Sequence, residues 1–144
     1  MNNELRLYFF VMYNLSGIQK GIQAGHAALE YARFFGDTLE YQSFISKYKT
    51  FILLDGGGSI DMKAREKELK AFGIPFVSFL EPDLNLSLSA VAFLVDESIY
   101  GFKETDEDVN LAQKYAFCPP CEGRERYKKY VFYKYLKSFK LAAN

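Results

Sequence analysis

Apolar positions change rhythm several times along this chain, and each change marks an element. Leu5 to Tyr13 reads LRLYFFVMY, short and almost continuously apolar, the pattern of a strand buried on both faces. Asn14, Ser16 and Gly17 break it, and Ser16 is suited to cap a helix. From Gly17 to Phe35, Ile18, Ile22, Gly25, Leu29 and Ala32 or Arg33 recur at i, i+4, i+7 spacing, which predicts a helix buried along that stripe. Ala24, Ala27 and Ala28 would let it lie close to a sheet. Gly36-Asp37 ends it. Thr38 to Lys49 predicts a shorter helix capped by Thr38, with Leu39, Phe44, Ile45 and Tyr48 turned inward. Thr50 to Leu54 reads as a second strand, followed by Asp55-Gly56-Gly57-Gly58-Ser59. Asp61 to Phe72 is a charged amphipathic helix stopped by Gly73 and Pro75. Phe76–Leu80 and Leu88–Val95 read as two more strands, joined by the turn 81–87.

Through residue 96 the order is β-α-α-β-α-β-β, which implies a mainly parallel sheet covered by helices, an α/β fold. Residues 96–123 are less regular, and Glu104 to Asp108 reads as a solvated loop or a helix start. Arg124 to Leu141 returns to helix, with Tyr127, Val131, Tyr135 and Phe139 four residues apart. Lys128, Lys129, Lys134, Lys137 and Lys140 occupy its other faces. This helix either packs by its stripe and leaves the lysines in solvent, or sets a basic surface near phosphates. The 144 residues form a single domain, 1–144, without repeat or linker.

Composition narrows the function classes. Eighteen basic residues balance eighteen acidic ones, so net charge supplies no bulk attraction to nucleic acid. No run approaches the roughly 20 apolar residues of a membrane span. The N-terminal stretch lacks the basic start and apolar core of a secretory signal, and two cysteines do not make a disulfide framework. A cytoplasmic protein without membrane contact is expected. With 11 Tyr, 14 Phe and no Trp, the aromatic residues serve either core packing or stacking on bases.

Candidate chemistry concentrates where the first strand meets the first helix. Free N–H groups and the positive dipole end near Ser16 to Lys20, with the Lys20 charge, suit a phosphate. The only histidine, His26, lies two turns further in, and one histidine cannot head a His-rich metal site. The glycine run at 56–58 permits close backbone approach to a ligand but is neither a P-loop nor a dinucleotide fingerprint. Cys118-Pro119-Pro120-Cys121 has redox or metal spacing, yet it lacks a second pair and the strand–helix setting of a redox motif. No metal or cofactor is called for.

The stretch Leu15-Ser16-x-x-Gln19-x-x-x-Gln23-x-Gly25-His26-Ala27 resembles the first-helix motif of type-II peptidyl-tRNA hydrolases. It is closer to a small, often phage-encoded branch of relatives. There a Glu-Pro-Asp-Leu-Asn segment, here Glu81-Pro82-Asp83-Leu84-Asn85, leads into a small-hydroxyl and alanine-rich strand, here Ser89-Ala90-Val91-Ala92. The resemblance covers residues 5–96 and leaves 97–144 as a helical extension. It implies a three-layer α/β/α fold on a four-stranded mixed sheet, a homodimer, and a pocket at the start of the first helix. It also implies a catalytic lysine, aspartate and threonine. The lysine position holds Gln19, with Lys20 about 100° round the helix. The aspartate is replaced by Glu81 or Asp83, and the threonine position holds Ser89.

Three readings follow. A binding protein would hold a phosphate-bearing nucleotide or nucleic-acid terminus, with Ser16, Gln19, Lys20 and Gln23 as donors and Glu81, Asp83 and Asn85 as acceptors. By analogy with phage relatives, it would sequester a nucleotide immune signal. A hydrolase would cleave the peptide–tRNA ester, using Lys20 as oxyanion or phosphate partner and Asp83 or Glu81 to position water, with Ser89 at the threonine position and His26 organising the pocket. An interaction protein would use the aromatic C-terminal helix as a partner surface.

Overall fold

The computed structural model describes residues 3–115 and 125–143. The strands are β1 (Leu5–Met12), β2 (Phe51–Gly57), β3 (Val77–Glu81) and β4 (Ser87–Asp96). Helix α1 (Gly17–Phe35) follows β1. Next come α2 (Leu39–Ser43) and a π-helical turn (Phe44–Tyr48), and α3 (Ser59–Ala71) follows β2. After β4 come α4 (Glu97–Tyr100), α5 (Asp106–Tyr115) and α6 (Glu125–Lys137). The expected class holds: a four-stranded mixed sheet, in the order β2-β1-β4-β3, lies between helices. β1 and β2 are parallel, and β4 is antiparallel to both of its neighbours, so the sheet is not the mainly parallel one that the element order implied: the short turn between β3 and β4 makes a hairpin rather than a crossover. Hence β1, β2 and β3 all end at one end of the sheet.

Alternation along β1 sorts the core into two faces. Leu7, Phe9 and Val11 pack with Ala90 and Ala92 beneath Ala24, Ala27 and Tyr31 of α1. Tyr8, Phe10 and Met12 pack with Val91 and Phe93 against Met62 and Leu69 of α3 and Phe132 and Leu136 of α6. The segment beyond residue 97 therefore supplies part of a helical layer. Of the expected stripe, Tyr127 and Val131 are buried on α6, and Tyr135 on α6 and Phe139 just beyond its end pack against the core as partly buried residues.

Helix α1 is rotated relative to the expectation. Ile18, Ile22 and Leu29 are exposed, at 79%, 45% and 70%, while Lys20, Gln23, Ala24, Ala27 and Tyr31 are buried. The reason is steric and polar together. Alanines of α1 meet alanines of β4, which permits close approach, and Gln23 finds a hydrogen-bond partner in the sheet. Two positions of the second helix are likewise corrected: Leu39 and Ile45 face solvent, leaving Phe44 buried where the helix widens to π geometry.

Of the two readings of the acidic stretch 104–108, the helix start holds: Asp106, Glu107 and Asp108 form the first turn of α5. Asp108 is 4% exposed, and its carboxylate takes two bonds from Arg126, from Nε at 3.0 Å and Nη2 at 2.7 Å. Thr105 donates to it through both its backbone N–H and its hydroxyl, each at 2.9 Å. The Arg126 bonds hold the Asp108 carboxyl below its ordinary pKa. Cys118 and Cys121 lie outside the described residues.

Candidate functional site

The sheet end that receives β1, β2 and β3 gathers three connections: 13–16, 57–59 and the hairpin turn 81–87. The first leads into α1 on one face and the second into α3 on the other. Neighbouring parallel strands whose connections diverge in this way leave a crevice beyond their carboxyl ends, the usual ligand position in open α/β sheets.

Two β-bulges shape this end. Val11 pairs with Asp55 and Met12 with Gly57, so Gly56 is an extra residue in β2. A Cβ on Gly56 would stand 2.3 Å from Met62 Sδ and 3.0 Å from Phe10 Cβ, so only glycine fits there unstrained. Gly57 follows in a left-handed conformation, φ 90°, with its N–H donating to Asp55 Oδ1 at 2.9 Å. The Gly57 carbonyl accepts from the Tyr13 N–H at 3.0 Å, and Gly58 N–H donates to Asp61 Oδ2 at 3.0 Å. These bonds tie the glycine turn to the β1–α1 connection and to the first turn of α3.

The second bulge is in β4. Phe79 pairs with Ala90 and Leu80 with Leu88, which leaves Ser89 as the extra residue. A bulge re-aims side chains, and here Ser89 and Ala90 both serve the α1 face while Leu88 serves the other. Ser89, fully buried, donates its hydroxyl proton to Gln23 Oε1, with the Phe79 carbonyl 3.4 Å away as an alternative acceptor. His26 lies further along α1, its ring stacked on Phe79 with centroids 4.6 Å apart and planes at 20°.

Lys20 lies one turn before Gln23 on the same buried face. Expected as a charge available to a phosphate at the helix start, it already has a partner within the protein. It is 6% exposed, and its side-chain nitrogen donates to the main-chain carbonyl of Ala143. Ser16 caps α1 as expected, its hydroxyl oxygen accepting from Gln19 N–H at 3.2 Å, and Gln19 itself is exposed. Glu81 ends β3 half-buried, and its carbonyl accepts from Leu86 N–H at 2.9 Å. Asp83 and Asn85 are exposed in the hairpin turn. Asn85 and Leu86 both hold left-handed backbones, φ 53° and 58°.

Lys20, Gln23 and Ser89 are thus brought onto one buried face. Glu81, Asp83 and Asn85 share the sheet end with them, but no ion pair joins these side chains to α1 among the described residues. Sequence reasoning missed Phe79 as the partner of His26, and Tyr13 beside the glycine turn. It also missed the segment at 140–143. Each depends on a long-range contact that local spacing does not encode.

Elsewhere, a cavity of about 310 Å³ near α4 and α6 is lined by Phe102, Lys103, Arg126 and Lys129 among others. Among the described residues no group of three His, Cys, Asp or Glu could hold a metal ion. Among the described residues, too, no helix is long and apolar enough to cross a membrane.

Fold and site together define a class: a layered α/β protein whose β1–α1 and β2–α3 connections diverge to opposite faces at one end of the sheet. No protein-family model matches the chain, and no curated protein is significantly similar to it in sequence. The likeness to type-II peptidyl-tRNA hydrolases accordingly rests on the motif residues themselves.

Proposed function

We propose that the protein binds the phosphate-bearing end of a small nucleotide or nucleic-acid terminus in the crevice beyond β1 and β2. The observation that carries this reading is the divergence of the β1–α1 and β2–α3 connections around a glycine bulge. Backbone N–H groups at the start of α1 and the dipole of that 19-residue helix favour an anion there. Lys20, one turn in, is the nearest cation along the chain to that helix start. The phage version of this reading, capture of a nucleotide immune signal, makes sequestration rather than turnover the activity.

The hydrogen-bond pattern gives Ser89 no role as a nucleophile. Ser89 donates to an amide oxygen, which cannot take up its proton, and His26 is stacked on Phe79 with no hydrogen bond to Ser89 among the described residues. No activated nucleophile results. The second reading, a peptidyl-tRNA hydrolase, draws support from Lys20, Gln23 and Ser89 sharing one buried face. It needs Asp83 or Glu81 to hold a water against the ester and Lys20 to meet the developing oxyanion. A homodimer belongs to this family reading.

Two assays on the pure protein separate the readings. In the first, a nucleotide at about 100 times its dissociation constant adds about 2.7 kcal/mol, which raises the melting temperature by about 5–10 °C for a chain of this size. In the second, turnover of an N-acetylated aminoacyl-tRNA is compared with that of Lys20→Ala and Asp83→Asn. Thermal stabilisation without turnover is the expected result. Robust cleavage lost in both variants would establish the hydrolase instead.

A further inference from the structure

We propose that residues 140–143 form a displaceable strap that closes the Lys20 subsite and competes with a ligand phosphate for the lysine side chain. The inference rests on the anion-binding reading of the crevice and names how access to it is controlled.

The strap begins at a firm anchor. Phe139 packs its ring against Phe10 and Tyr135, at centroid distances of 4.7 and 5.0 Å, and the Arg65 guanidinium lies 4.8 Å over it. Beyond Phe139 the chain leaves the α3–α6 layer and runs antiparallel along the outer edge of β2. Asp55 N–H donates to the Lys140 carbonyl at 2.9 Å, Ala142 N–H donates to the Leu53 carbonyl at 2.8 Å, and Leu54 faces Leu141. Ala142 then packs with the core of the α1 face, and the next carbonyl, that of Ala143, meets Lys20. The segment has therefore passed round the sheet edge from one helical layer to the other.

Its hold is slight. Two main-chain bonds fix it, Lys140 and Ala143 are exposed, and Leu141 is 69% exposed. Segments with few buried contacts open at low free-energy cost. Lys20, by contrast, is almost wholly buried and has a neutral carbonyl as its only hydrogen-bond partner among the described residues. A buried cation is poorly compensated by a neutral acceptor, and a phosphate offers stronger, charge-assisted bonds. Exchange of Ala143 for a phosphate would improve the environment of Lys20 at the loss of two exposed-edge hydrogen bonds. The strap also covers a β2 edge that would otherwise present unpaired backbone groups.

The test uses two variants that keep the Phe139 anchor: Ala142→Pro, which removes the N–H donated to Leu53, and a chain ended at Phe139. Two quantities are read: the rate of Lys20 acetylation by an amine-reactive ester, located by mass spectrometry, and the affinity for inorganic pyrophosphate by calorimetry. With the strap closed most of the time, both variants should label Lys20 and bind pyrophosphate at least about tenfold better than the parent chain. Saturating pyrophosphate should protect Lys20, and Lys20→Met should abolish the gain in affinity. Unchanged labelling, with pyrophosphate bound equally by all chains, would overturn the strap while leaving the anion site standing. Faster labelling with no pyrophosphate binding in any chain would overturn the competition and the anion reading with it.

Discussion

The Ser89–Gln23 bond offers the sharpest energetic test of how the β4 bulge and α1 are joined. Ser89 is 0% and Gln23 1% exposed, so neither group can fall back on bulk water. In Ser89→Ala the Gln23 amide oxygen loses its donor, at an expected cost of about 1–3 kcal/mol. Gln23→Met keeps the side-chain volume, and the Ser89 hydroxyl can turn to the Phe79 carbonyl 3.4 Å away. That variant should lose less, below about 1 kcal/mol. With both changes together no polar group is stranded, and the double variant should be about as stable as Gln23→Met alone. The resulting coupling equals the Ser89→Ala cost, about 1–3 kcal/mol, within the range for contacting residues. Urea unfolding of the four proteins at neutral pH measures it, as midpoint shifts at a common slope. Additive single effects, or a Ser89→Ala chain as stable as the parent, would refute the claim that the bulge aims Ser89 at Gln23.

Other perturbations follow from the same geometry. Gly56→Ala would place a methyl against Met62 Sδ and Phe10 Cβ, and overpacking of this kind costs about 1–3 kcal/mol, read as a lower urea midpoint. Leu86, left-handed at φ 58° and 61% exposed, should gain about 0.5–1 kcal/mol on replacement by Asn, which tolerates that conformation; equal stability would argue against the strain. Because Arg126 holds the folded Asp108 pKa below its ordinary value of 3.8, its stabilisation is present above that pH and is lost as pH falls through the folded value. Acid unfolding of Arg126→Gln should therefore begin at higher pH than in the parent, and identical acid limbs would count against the pair. Burial pushes Tyr31 up to about 12, above its ordinary 10.0, so its contribution is complete below pH 10 and lost as pH rises toward 12. Tyr31→Phe should flatten the alkaline limb, followed by circular dichroism between those values.

Both bulges lie at the sheet end where the candidate ligand would sit, and each is an insertion that local packing makes costly to remove. Gly56 bends β2 so that the turn at 57–58 meets Tyr13, and Ser89 bends β4 so that α1 is held by a polar bond rather than by apolar contact alone. Irregularity concentrated at one end of an otherwise regular sheet fits the placement of bulges beside functional sites.

Much of this protein was legible in its residues taken one after another. The β-aromatic run at 5–13, the caps at Ser16 and Thr38, and the stop at Gly73 act through local sterics and hydrogen bonds, so they specified the elements and their order directly. Which way α1 faces was a different kind of question. Its two sides carry the same helical spacing, and apolarity pointed to Ile18, Ile22 and Leu29. The close alanine contact with β4 and the bulged Ser89, 66 residues away in sequence, turned Lys20 and Gln23 inward instead. Likewise the motif residues point to one end of the sheet, but the burial of Lys20 under Ala143 depends on a contact spanning 123 residues. Local pattern sets what each segment becomes; only the packed layers decide which polar groups lie inside, because their desolvation is compensated by partners from distant parts of the chain.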